Sequence, residues 1–103
     1  MRGLARESTV VQAQGQVSCE LDGGIAILDV KSGTYFGLNP VGAFIWNLLS
    51  EPRGVGEILA ALAHRYDAPA ARLETDLAAL LNELQRRELV CLVDQESATA
   101  PPR

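Results

Sequence analysis

The 103-residue chain is 48% hydrophobic and 21% charged, enough apolar material for one compact core and too little length for two domains. Its net charge is −4, and its nine basic residues, only one of them a lysine, are scattered along the whole length. That distribution argues against a nucleic-acid binder, which needs clustered cations to displace counterions, and no apolar run approaches the roughly 18 residues of a membrane span.

Residues 1–16 read as a flexible N-terminal segment in which Val10-Val11 mark a short strand at most. Arg2 and Arg6 precede no continuous apolar stretch, so the segment is not a secretory signal. From Val17 to Leu21 the pattern alternates, with Val17, Cys19 and Leu21 against Ser18 and Glu20, as in a half-buried strand. Asp22-Gly23-Gly24 is a hairpin turn. Ile25 to Val30 is apolar at nearly every position, as in a strand covered on both faces. Lys31-Ser32-Gly33 makes a second turn, and Thr34 to Leu38 a third short strand. A three-stranded antiparallel meander is expected.

The period changes at Asn39-Pro40, where Asn39 suits a helix cap and Pro40 the first helical position. Val41, Phe44, Ile45, Leu48 and Leu49 form one apolar stripe, with Trp46 off its centre as partly buried cover. A second helix spans about Val55 to Tyr66, poorly capped by Gly54. A third follows Pro69 and carries Leu73, Leu77, Leu80, Leu81 and Leu84 as far as about residue 88. Leu89 to Val93 is a last strand or packed extension, and residues 94–103 form a flexible tail. The order is three strands, then three helices with a short joint between the last two. This predicts an α+β winged helix-turn-helix domain over residues 17–93.

Catalytic signatures are missing. There is no G-x-S-x-G, H-E-x-x-H, P-loop or G-x-G-x-x-G, and His64, the only histidine, falls beside Arg65 on a helix as a surface residue. Cys19 and Cys91 lie far apart without a CxxC pattern, as expected of buried or half-buried free thiols in a reducing compartment. A cysteine enzyme would lack an evident histidine partner. The expectation is a soluble cytoplasmic protein that acts by binding, without metal or cofactor. A DNA-binding regulator is the reading that a winged helix first invites. Its recognition helix would offer Ala70, Ala71, Arg72, Glu74, Thr75 and Asp76, one arginine against two carboxylates, which suits neither base edges nor phosphate.

The third strand suggests another mode. Thr34 to Leu38 carries no charge and no proline, the usual means of blunting a strand edge. Such an edge is either covered by the chain's own tail or accepts a strand from a partner. Tyr35 and Phe36 point to opposite faces, so one packs inward and the other is free to line a groove. On pattern alone, Asp76 and Glu83 read as a solvated helix face.

The run Ile27-Leu28-Asp29-Val30-Lys31-Ser32-Gly33-Thr34-Tyr35-Phe36-Gly37-Leu38-Asn39-Pro40-Val41-Gly42, followed by Ile45-Trp46-Asn47-Leu48-Leu49, resembles the PqqD-like proteins, also called RiPP recognition elements. The later pattern, Ile58 to Leu62, Arg65-Tyr66-Asp67 and Leu73 to Leu77 with Leu84, is similar to the same family's last two helices. The resemblance covers about residues 17–93 and rests on the ordered combination. It implies a non-catalytic winged-helix domain that binds the leader of a ribosomally made precursor peptide, adding it antiparallel to the third strand in a cleft walled by the third helix. The implied peptide-binding residues are Thr34, Tyr35, Phe36, Gly37 and Leu38, with Leu28 and Val30 of the preceding segment and Asp76, Ala79, Leu80 and Glu83 of the helix. The hairpin looks most like those of free-standing lasso-peptide members. Their partners are the precursor leader, a leader peptidase and an ATP-dependent macrolactam cyclase. Other members serve radical-SAM pathways such as pyrroloquinoline-quinone synthesis. The resemblance implies no nucleic acid, membrane, metal or cofactor. The open edge leaves a monomer or a weak dimer.

Overall fold

Two three-stranded antiparallel sheets and three helices make up the computed structural model, which describes residues 8–93. The first sheet element in the chain, β1 (Thr9–Gln12), belongs to one sheet, and the next three strands make the other.

The meander contains β2 (Gln16–Leu21), β3 (Gly24–Asp29) and β4 (Thr34–Leu38) in that order, with β2 and β4 at its edges. Asp22 and Gly23 both take positive φ, 50° and 82°, between the closing pair Leu21 and Gly24. A two-residue turn with both centres left-handed matches the right-handed twist of the strands it joins, which is why Asp-Gly is found there. The second turn is held by Asp29. Its carboxylate accepts from the Lys31 backbone N–H and the Ser32 hydroxyl, and Gly33 reaches φ 74° to close the loop onto the Asp29 carbonyl.

Helix α1 (Pro40–Leu48) starts as its sequence dictates. The Asn39 side chain accepts the Gly42 N–H at 2.8 Å, and Pro40 sits in the first turn. Helix α2 (Val55–Arg65) lacks a side-chain acceptor at Gly54, yet Glu57 reaches back to accept the Gly54 N–H at 3.0 Å. Helix α3 (Ala70–Arg86) follows a joint of only a few residues, completing the helix-turn-helix. It ends in a Schellman motif: Glu88 takes φ 62°, and the Leu89 N–H bonds the Leu84 carbonyl at 2.9 Å. The chain thereby turns into β6 (Val90–Val93).

Residues 9–12 differ from the expectation of a flexible segment. They form β1, the central strand of the second sheet, between the two-residue β5 (Arg53–Gly54) and β6. Val10 is wholly buried, and the Gln12 N–H bonds Leu49 O while its side chain donates to Trp46 O. A four-residue strand has too short a period to be distinguished from a loop in sequence. Its stability comes from partners remote in the chain. Residues 1–7 and 94–103, the rest of the two terminal segments, lie outside the described residues.

The core joins the inner face of the meander to the helices and to Val10, Leu89 and Val90. Trp46, expected as partial cover, is buried to 1% exposure inside it. The burial of β2 also differs from the half-buried pattern expected. Its residues are exposed from Val17 to Leu21, because α1 packs on β3 and β4 and does not extend over β2. β3 is buried on one face only: Ile25 and Ile27 face the core, while Ala26 and Leu28 are half-buried on the other. Both cysteines are free and exposed, not buried. Among the described residues no helix is long and apolar enough to cross a membrane.

Candidate functional site

The register of the meander sorts its side chains into two rows. Val17, Leu28 and Tyr35 stand opposite one another, as do Ser18, Ile27 and Phe36. Ile27 is buried, so the second row faces the core and the first faces outward. Phe36 and Leu38 therefore point inward from β4, and Tyr35, 70% exposed, points to solvent. Among the described residues no strand pairs with the free side of β4. Its outer amides and carbonyls form the kind of edge that templates an added strand.

A hollow lies along that edge. Phe36, Gly37, Leu38 and Asn39 supply one wall, Val41, Gly42 and Ile45 of α1 its floor, and Arg72, Asp76 and Leu80 of α3 the other wall. The spacing 72, 76, 80 places one face of α3 on the groove. The lining is apolar at its base, with a polar rim where Arg72 Nε lies 3.4 Å from Asp76. Gly42 packs closely there: a Cβ at that position would meet the Leu38 side chain and the Asn39 cap at 3.2–3.4 Å, tight enough that these neighbours would have to shift by a few tenths of an ångström.

A second, smaller hollow continues beyond Phe36 toward the β3–β4 turn, lined by Ile27, Asp29, Ser32, Thr34, Phe36, Arg87 and Leu89. The Arg87 guanidinium lies over the Phe36 ring, 4.6 Å from its centroid, while its Nε donates to Glu83 at 2.7 Å. The other Glu83 oxygen accepts from Arg86 at 2.6 Å. Hydrogen bonds from the two guanidiniums hold the Glu83 carboxyl below its ordinary range.

Of the expected peptide-binding residues, Phe36, Gly37, Leu38, Asp76 and Leu80 come together at the larger hollow, and Thr34 at the smaller. Glu83 is half-buried as the anchor of Arg87, away from solvated isolation. Leu28, Val30 and Tyr35 line neither hollow: Leu28 and Tyr35 lie in the outward row, and Val30 is exposed in the turn. Ala79 is exposed and also outside both hollows. The sequence reading missed Arg72, Arg87 and the α1 floor. The i, i+4, i+8 series through Asp76 and Leu80 would have found Arg72, but nothing local marks Arg87 as stacking on a residue as remote in the chain as Phe36. Arg72, the one cation expected at the start of a recognition helix, is engaged by Asp76, which leaves that end of α3 poorly suited to phosphate.

Fold and groove together define a winged helix-turn-helix domain with an open strand edge facing its last helix. Residues 24–90, well over half the chain, match the family model for coenzyme PQQ synthesis protein D. The chain belongs to this PqqD family, of which the PqqD-like recognition elements are part. Among solved structures it is similar to TbiB1 in complex with the TbiA(beta) leader peptide, with 35% identity, a TM-score of 0.72, and coverage of 78% of this chain and 93% of that one. It shares its fold with a lasso peptide synthetase B1 complexed with the leader peptide, at 24% identity, a TM-score of 0.71, and coverage of 80% and 96%. No curated protein matches the chain.

Proposed function

We propose that this domain binds the leader of a ribosomally synthesised precursor peptide as a strand added to β4 and delivers it, without catalysis of its own, to a leader peptidase and a macrolactam cyclase. The observation that carries the reading is the unpaired side of β4 lying beside a groove floored by α1 and walled by α3. Backbone pairing at roughly 0.5–1.5 kcal/mol net per hydrogen bond supplies affinity without sequence preference. Apolar anchors in the groove, at about 1.5–3 kcal/mol each, supply the preference. Together they offset the roughly 2–5 kcal/mol needed to order a free peptide and the further cost of its lost rigid-body freedom. The leader-peptide part of the reading draws on the relative solved with the TbiA(beta) leader peptide at 35% identity, and the lasso-peptide part on the resemblance of the hairpin at residues 33–39 to free-standing lasso-peptide members. A second reading, a chaperone for a radical-SAM modification pathway, draws on the family description alone.

Backbone amide NMR during titration with the TbiA(beta) leader peptide tests the proposal. Shifts confined to Thr34–Leu38 and to the Arg72, Asp76 and Leu80 flank of α3 support strand addition. Shifts confined to the N-terminal turn of α3 on adding duplex DNA, with none for the peptide, would return the domain to the regulator class. Turnover of a precursor by the isolated domain would refute the non-catalytic part.

A further inference from the structure

The two hollows differ in chemistry although one peptide strand would pass both. At the Leu38 end the lining is Leu38, Val41, Ile45 and Leu80, and the only charges, Arg72 and Asp76, neutralise each other at the rim. At the Thr34 end Ile27, Phe36 and Leu89 are joined by the polar Asp29, Ser32, Thr34 and Arg87, and the C-terminal end of α3 brings two guanidiniums to a single carboxylate. Asp29 also lies there, but both its oxygens accept bonds from within the turn, from the Lys31 N–H and the Ser32 hydroxyl. Arg87 uses Nε on Glu83 and rests on Phe36, which fixes its plane. Among the described residues its two terminal NH2 groups have no carboxylate of their own. A guanidinium held in this way presents a fork matched to a carboxylate.

Resting on the leader-binding reading, we infer that Arg87 is a specificity-determining residue that selects an acidic side chain in the bound peptide, at a fixed distance from an apolar anchor. A strand added antiparallel to β4 continues the pattern of the sheet and is the more stable pairing. Its residue opposite Leu38 enters first, and the residue opposite Thr34 comes four positions later. Both face inward, because cross-strand neighbours point to the same side. The peptide signature is therefore an apolar residue followed, four positions toward the C-terminus, by Asp or Glu. Glu83 acts through Arg87 as a positioning residue, since it anchors the guanidinium over the ring without reaching the peptide.

The test is selection of a phage-displayed library of random peptides against the full-length protein and against Arg87→Glu and Arg87→Gln. The wild type should enrich the apolar residue and, four positions on, a carboxylate. Arg87→Glu should keep the anchor and replace the carboxylate with Lys or Arg. Arg87→Gln, which brings no new charge beside Glu83, should keep the anchor and lose the preference. With a synthetic peptide from the wild-type selection, replacing its acidic residue by the matching amide should weaken binding about ten-fold. The same replacement should make little difference to Arg87→Gln. An identical motif with all three proteins, or anchors without any acidic preference in the wild type, would overturn the role of Arg87 while leaving the groove intact. No enrichment by any of them, or winning peptides whose amide shifts fall away from β4, would overturn the groove reading itself and this inference with it.

Discussion

The sheet of β5, β1 and β6 joins strands from both ends of the described chain, whereas the meander of β2, β3 and β4 is one uninterrupted stretch. In the first, the central strand is paired on both sides and bonded through Gln12 to the end of α1, and Ala13 just beyond it bonds Leu89 in the turn after α3. In the second, β2 is exposed from Val17 to Leu21 and β4 keeps one side unpaired. The molecule concentrates closure in one sheet and leaves the other with an open edge at β4. The lesson is that residues which stabilise the domain and residues which would hold a peptide are largely different sets, separable by substitution.

The largest break would come from deleting residues 1–12. This removes β1, exposes the faces of β5 and β6, and empties the site of Val10. Loss of a cooperative thermal transition is expected in circular dichroism; a truncated chain that melts like the parent would mean that the sheet contributes nothing to closure. Leu80→Glu should act the other way. Leu80 is half-buried on the groove wall and also packs against the core, so peptide affinity should fall more than about ten-fold through loss of apolar contact, with a cooperative melt retained at a lower midpoint. Calorimetric titration beside thermal melts would read both. Glu88→Gly relieves a left-handed residue at the end of α3 and should stabilise the domain by about 0.5–1 kcal/mol in urea unfolding, without touching peptide affinity. Leu21→Gln on the outward row should change stability by less than about 0.5 kcal/mol, because that side chain is already 58% exposed.

The smallest effect expected concerns pH. The folded Glu83 carboxyl lies below its ordinary value of 4.5, so its ion pairs stabilise the folded state above that value and are lost only as pH falls through the lower, folded one. The Arg87 Nε–H resonance should stay constant from neutral pH down to 4.5 and move only under more acidic conditions. Movement near neutral pH would show that Glu83 is not its anchor.

Much of the meander was legible because its signals are local. Asp22-Gly23 fixes a hairpin, Asp29 ties its own turn, and Asn39-Pro40 starts a helix, each within a few residues. The stripe through Leu73, Leu77, Leu81 and Leu84 likewise specified the buried face of α3. The second sheet was less legible, since β1 is four residues long and β5 two, and both depend on partners distant in sequence. Alternation in β2 identified a strand but not which side would be covered: the apolar row Val17, Cys19 and Leu21 faces away from the core. For the groove, parity separated Tyr35 from Phe36 but not which would line it: the inward Phe36 both packs on the core and lines the hollow, and the outward Tyr35, expected as the alternative, faces solvent. Leu28, Val30, Tyr35 and Ala79 miss both hollows because parity and helix phase, not proximity in sequence, decide what lines them.

The antiparallel pairing of Thr9 with Val93 has a consequence for how the domain comes into being. Short loops close at little entropic cost, whereas a contact between the first and last strands must wait for nearly all the intervening chain. During synthesis the hairpins of residues 16–38 can assemble while α2 and α3 are still being made. The sheet that locks the domain cannot form until Val93 has left the ribosome. The open β4 edge is thus among the earliest structure to appear, and its helical wall and final closure are the latest.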